Sequence, residues 1–343
     1  MKTIFSTLLF LGAFTTLLAQ ETSLSSAQDT LKKHQFTFDG TLVITGMARQ
    51  YDKDPMPNSD NISSERQLLG LYIPEINYQW NISEKQQLEA FASVALLGGL
   101  FDGEGELIPL PYQGWIAYTY DRLSLKVGYQ EIRWGNAKLL RTLNWMDMFH
   151  PLDPVAFNPG IFATLGTYQF GNDGHIQLWV INNELDILDR YDYSKGYGGR
   201  VTYPLGNFDL GASYLRHRHE KRYQGEPFYV NYLGIDLKYD APLSWWVDGM
   251  IHQEPGISFV APDQDSDQLL TKIKVTIGAS YALPFGEEGV KMVAEHILSS
   301  DARIGTTNHL TALDLTYSAG KLGEFKTTFI YFISIISVKT IDE

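Results

Sequence analysis

The side chains best suited to chemistry gather in one segment. Arg133, Trp134, Arg141, Trp145, Asp147, His150 and Asp153 fall between an alternating stretch and Gly160, and Pro151, Pro154 and Pro159 break the segment up. Two guanidinium groups and two carboxylates set across a hydrated gap make a transverse field that orients polar solutes. Paired with each other, the same groups pin the segment to its support. Asp153, between Pro151 and Pro154, sits in a rigid turn and favours pinning. Trp134 and Trp145 offer flat apolar faces, either to a passing sugar or to the packing of the segment itself.

Signals for enzymatic chemistry are weak. The chain holds no Gly-x-Ser-x-Gly, no His-Glu-x-x-His and no phosphate-binding glycine loop. Asp263-Gln264-Asp265-Ser266-Asp267 opens like a calcium loop but lacks the glycine and the closing Glu in register. His217 and His219 flank Arg218, and the sequence places no further ligand beside them. No catalytic group, metal or cofactor is expected, and the chain reads as a non-enzyme.

The elements that position this segment are strands. Leu125, Val127 and Tyr129 alternate with Lys126, Gly128 and Gln130 until Arg133-Trp134-Gly135 breaks the period. Alternation of the same kind recurs along the chain, as in Phe36, Phe38, Leu42 and Ile44 against Thr37, Asp39, Thr41 and Thr45. Short connections (121–122, 171–174, 204–207, 240–243, 283–289, 318–324) interleave with long ones (98–111, 134–160, 182–195, 218–226, 254–268, 299–308). Loops sorted by length to two ends imply an all-β transmembrane antiparallel up-and-down barrel of about 14–16 strands, with short periplasmic turns and longer outer loops. Aromatics flank the short turns, among them Trp80, Tyr118, Tyr120, Tyr168, Phe170, Tyr203, Phe208, Tyr239, Trp245, Trp246 and Tyr281, as an interfacial girdle requires.

If the apolar faces meet lipid, the opposite faces line a lumen. Those positions include Asp39, Glu75, Glu89, Lys126, Asp236, Lys238 and Glu295, a mixed charged lining that suits a hydrated path. The 134–160 loop folded inward would then narrow it, with Arg133, Trp134, Arg141, Trp145, Asp147 and Asp153 at the constriction. Arginine on the outer faces, at Leu210, Leu237 or Val275, is expected to be costly. Changes at the lumenal Ser213, Asp236 or Thr276 are expected to be mild.

Residues 1–19 read as a signal peptide, with Lys2, an apolar run from Ile4 to Leu18 and Ala19 before the cut. Residues 20–35 read as a flexible lead-in and 36–343 as the barrel; about fifteen strands count out, so either the C-terminal strand is incomplete or shifted in frame near Phe332 or the count is off by one. The absence of cysteine leaves stability to the core or to barrel closure. A formal charge of −13 argues against nucleic acid as a partner.

Gly128-x-Gln130 leading to Trp134-Gly135, then Asp147, Pro151 and Asp153, resembles the segment shared by porin-like outer-membrane barrels of Gram-negative bacteria, of the alginate-export and related uncharacterised types. The resemblance implies an outer-membrane porin or exporter giving passive passage to small polar solutes. Its partners would be the lipid bilayer, lipopolysaccharide and the barrel-assembly machinery. A structural or adhesive barrel is the alternative, and a barrel enzyme a more distant one.

Overall fold

A computed structural model describes residues 16–20, 33–49, 65–101, 104–146, 160–171, 173–182, 193–219, 228–255, 269–284, 289–301, 306–318 and 324–336. Its described strands are β1 (Thr16–Gln20), β2 (His34–Arg49), β3 (Glu65–Ser83), β4 (Gln86–Phe101), β5 (Glu104–Tyr120), β6 (Leu123–Gln130), β7 (Ile161–Phe170) and β8 (Gly174–Asn182). They continue as β9 (Tyr193–Leu205), β10 (Phe208–His219), β11 (Phe228–Tyr239), β12 (Leu243–Pro255), β13 (Leu269–Leu283), β14 (Val290–Asp301), β15 (Thr306–Ser318) and β16 (Glu324–Ile336). Each strand pairs antiparallel with the next, and the order closes into a barrel.

Closure runs through β1. From β2 to β16 the chain is an unbroken meander, and β1 bridges its two edges, with three residue pairs to β16 and five to β2. Residues 16–19 belong to the expected leader, so the same residues serve two readings.

The alternation of the sequence becomes the two faces of the wall. Outward positions are apolar and exposed, as at Phe36 (66%), Leu178 (64%), Ile235 (64%) and Leu210 (42%). A closed sheet with an apolar outside leaves no unpaired edge in lipid, the condition any spanning structure has to meet. No described helix is long and apolar enough to cross a membrane. Inward positions carry the polar groups and the packed interior, for example Leu215 (0%), Asp248 (1%) and Glu295 (2%).

The short-turn end follows the expected chemistry. Asp121 (φ 52°), Asp173 (φ 61°) and Gly206 (φ 63°) take the left-handed conformation that tight hairpin turns need. Beside these turns Phe208, Tyr239 and Trp245 cluster at 4.8–6.2 Å between ring centroids, and Phe170 stacks on Tyr203 at 6.2 Å. Trp246 departs from the expected girdle. It shares the inward face with Asp248 and Met250 and is fully buried.

At the long-loop end two expected loops shrink. Strands β4 and β5 extend to leave only 102–103 between them, and β14 and β15 leave 302–305. The largest connection runs from 131 to 160, because β6 and β7 stop early while β5 continues to Glu104. The Gly160 amide donates to the Tyr112 carbonyl at 3.1 Å, where the chain rejoins the wall.

Candidate functional site

After Gln130 the chain turns into the barrel instead of away from it. The turn is fixed at Gly135, whose φ of +80° suits glycine. A Cβ there would lie 2.5 Å from Asp248 Oδ2, so the missing side chain also admits that carboxylate. The amides of Asn136 and Ala137 donate to Asp248 Oδ2 at 2.9 Å each, and the Asn136 amide reaches Oδ1 at 3.1 Å.

A second carboxylate takes the next three amides. Lys138 donates to Glu295 Oε1 at 2.6 Å, and Leu139 and Leu140 donate to Oε2 at 2.9 and 2.6 Å. Thr276 follows, its hydroxyl donating to the Leu140 carbonyl at 2.7 Å. That hydroxyl has one proton, so the 2.6 Å contact with Thr142 Oγ1 is donated by Thr142. Asp236 completes the set. It accepts Asn136 Nδ2 at 3.1 Å and both terminal nitrogens of Arg200, at 2.7 and 2.8 Å. Arg200 also donates to Ser213 at 2.7 Å.

Five consecutive loop amides therefore end on two wall carboxylates. Buried carboxylates are costly unless hydrogen-bonded, and a loop inside a barrel has no strand partner for its amides. Each defect answers the other.

Apolar packing seats the same loop. Trp134 lies 4.1 Å from Trp179 in a near-parallel stack and meets Trp145 edge-on at 5.7 Å. Trp145 stacks on Tyr232 at 5.4 Å, and its indole nitrogen donates to Met250 Sδ at 2.9 Å. These rings join Ile132, Leu143, Met146, Ile161, Ile181 and Leu215 in one cluster. Ala137, Leu139 and Leu140 make another with Trp246, Val293 and Ala312. Glycines on the wall provide the seats. Cβ atoms at Gly198, Gly234 and Gly278 would press into Trp179, Leu143 with Trp145, and Trp246 at 2.4–2.8 Å.

The expected constriction residues thus divide. Trp134 (5%) and Trp145 (9%) are packed against the wall and present no face to a solute, because neighbouring rings and Met250 cover them. Arg133 stays half exposed, 3.8 Å from Glu131. Arg141 Nε donates to the Lys138 carbonyl at 3.2 Å, so it folds back on its own loop. Asp147 and Asp153 lie outside the described residues, as does the calcium-like run at 263–267.

The expected lumen positions divide as well. Asp236 (6%) and Glu295 (2%) face inward but are covered, since their oxygens hold Arg200 and the loop amides. Ser213, Asp236 and Thr276, where changes are expected to be mild, are all engaged in these contacts. The other expected positions lie elsewhere on the wall. Glu75 faces Asp39 in register, Asn77 donates to Glu89 Oε1 at 2.9 Å, and Lys126 Nζ stands 3.9 Å over the Trp115 ring. Lys126 and Glu89 both pair with Ala117 on β5, which puts a cation and an anion side by side. Lys238 pairs with Asp240 at the short-turn end.

The loop's described packing falls on β7, β8, β10–β12, β14 and β15, and the hydrogen bonds that residues 136–145 make to the wall reach β11–β14. The charged positions on β2–β6 occupy the other arc. Lys138 is the loop residue that sequence reasoning missed. Its ammonium stands 4.7 Å over the Trp246 ring and 3.5 Å from Ser280 Oγ. Burial holds it below the ordinary lysine range, with Lys291 and Lys238 adding to the effect and Glu295 and Asp240 opposing it.

No family model matches the chain, and no curated protein matches it by sequence. Solved structures do. OmpT of Vibrio cholerae in its trimer form is similar with a TM-score of 0.58 at 10% identity, over 89% of this chain and 90% of that one. The DcaP outer-membrane channel of Acinetobacter baumannii gives 0.54 at 10%, over 90% and 100%. An anion-selective porin from Comamonas acidovorans gives 0.53 at 7%, over 94% and 98%. The fold is that of porin-like outer-membrane barrels. The finer likeness to alginate-export barrels finds no match among family models.

Proposed function

We propose that the chain is an outer-membrane channel for small polar solutes, its passage running between the inward loop and the arc formed by β2–β6. One observation carries the reading. A loop is drawn into the barrel and held there by Asp248 and Glu295, so the bore is narrowed by design. A barrel serving only as a wall or an adhesive stalk has no need of such a device. The remaining arc bears half-buried Asp39, Glu75, Glu89 and Lys126, which suits ions and hydroxylated solutes better than apolar ones. Passage is passive in this reading, and the protein works in the outer membrane with its long loops outward.

Planar-bilayer recording tests it. Deleting Lys138 to Asp147 removes the Glu295 contacts and is expected to raise single-channel conductance well above wild type, with heat-modifiable mobility retained. A wild-type protein that inserts and does not conduct overturns the channel reading. An unchanged conductance after the deletion overturns the loop's part in it.

A further inference from the structure

The inward face of β10 ends in two imidazoles that take no part in the tethers. His217 and His219 follow Ser213 and Leu215 along that face, at the long-loop end of the strand. Alternate residues of a strand share a face, so the His-x-His spacing sets the two rings side by side. Their Nε2 atoms stand 2.9 Å apart. The ring centres are 4.6 Å apart and the planes are inclined at 72°.

Neighbours fix both rings. Gly196 faces His217 in register on β9, where a Cβ would come within 3.1 Å of His217 Cβ, and Val230 faces it on β11. Tyr232 packs against His217 at 5.1 Å between ring centres, and Phe228 stacks on His219 at 5.0 Å. Tyr232 also stacks on Trp145, which ties this corner of the wall to the inward loop.

Two neutral imidazoles this close share one proton in an N–H···N hydrogen bond. A straight bond of that kind runs along the axes of both rings and would hold their centres farther apart than 4.6 Å. The nitrogen lone pairs are therefore inclined to the line between them, as two ligands of a single ion are. With metal–imidazole bonds of about 2.0–2.1 Å, a 2.9 Å separation subtends about 90° at the metal. That is the cis angle of tetragonal Cu(II) or Ni(II), whereas tetrahedral zinc needs its nitrogens wider apart. Moving the shared proton to Nδ1 of the donor ring turns both Nε2 lone pairs to the ion and releases no proton to solvent. Among the described residues no group of three or more His, Cys, Asp or Glu forms a cage. A two-imidazole site leaves its remaining positions to water and to ligands that exchange.

We propose that His217 and His219 form a bidentate site for a borderline divalent cation, Cu(II) by preference, on the inward face at the long-loop end. Imidazole donors in a cis pair suit copper, and copper stands highest among the first-row divalent ions at such a site. Open coordination suits an ion that is taken up and released rather than stored. The sequence expectation of no metal counted ligands along the chain and could not see that two of them converge. The site stands apart from the channel reading, since it needs only the inward face of β10.

The test is titration of the full, untagged chain in detergent with copper(II) chloride, read by a binding isotherm and by electron paramagnetic resonance. The tightest-bound ion in wild type is expected to carry a pair of imidazole nitrogens. H217N and H219N are each expected to weaken that step on the order of a hundredfold, the gain that a second linked ligand brings, and to leave a single nitrogen from the pair. H219N changes the less buried ring, and heat-modifiable mobility checks that each variant is a closed barrel. H175N, at the short-turn end beside Thr202, is expected to bind as wild type. Equal copper binding by wild type, H217N and H219N overturns the site and leaves the two rings a hydrogen-bonded pair. So does a wild-type spectrum without the nitrogen pair, or an equal loss in H175N. Binding is read without current, so a wild type that takes copper and does not conduct sinks the channel and leaves the site standing.

Discussion

At the scale of single residues, Glu295 is where the loop is most exposed to disruption. Glu295→Ala leaves the amides of Lys138, Leu139 and Leu140 without their acceptor, and each unsatisfied buried donor costs about 1–3 kcal/mol. Glu295→Gln keeps one oxygen and turns an amide group toward donors, so its effect should be smaller but of the same sign. Both variants are expected to raise conductance and to open residues 131–146 to proteolysis, with Ala above Gln. Gly135→Ala should reach the same state by another route, since it strains a positive φ and pushes at Asp248. Gly206→Ala is the comparison, with a similar positive φ in a turn and open space around it. Matching conductance for all four variants and wild type would remove the tethers from the account.

At the scale of strands and loops, much was legible in the sequence, for a physical reason. Lipid on one side and polar packing on the other force a period of two, and that period appears directly in the residue order. It also contained the placement of Trp246. Of two adjacent tryptophans one has to face inward, and Trp246 shares parity with Asp248. The extension of β4 and β5 was hidden because Gly98, Gly99, Gly105, Pro109 and Pro111 read as loop. The tethers were hidden more deeply. Glu295 binds an amide 157 positions away, and an amide has no side chain for a sequence pattern to reveal. The inward loop was expected; the reason it stays was not. The wall itself allows a direct test. Leu237→Arg places a cation in the apolar band and should cost about 2–4 kcal/mol if near mid-bilayer, measured by reversible unfolding in lipid vesicles. Thr276→Arg, on the inward face, should leave the wall intact and displace Leu140 and Thr142 instead, visible as altered conductance with a smaller loss of stability. Equal destabilisation by both would show that the two faces do not differ in their surroundings.

At the scale of the whole molecule, closure of the ring depends on its shortest strand. Strands β2 and β16 run in the same direction, because each strand between them reverses the last. They meet in antiparallel fashion only with β1 between them, and β1 is built from Thr16–Gln20. A signal peptidase acting after Ala19 removes four of those five residues. Read as a leader, residues 1–19 have the charged start, apolar run and small residue before the cut that export uses, and such segments are removed from the mature protein. We therefore expect the protein from outer-membrane fractions to begin at Gln20 when its N-terminus is read by mass spectrometry. Closure of the processed chain then needs either a parallel seam between β2 and β16 or another segment in place of β1. Heat-modifiable mobility distinguishes closed from open forms, because a sheet with two free edges in lipid would leave a row of unsatisfied amides on each. A chain beginning at Gln20 that migrates as a compact, heat-modifiable species shows that the barrel closes without β1. A chain in the same fraction that still begins at Met1 would overturn the leader and leave Thr16–Gln20 as a permanent part of the wall.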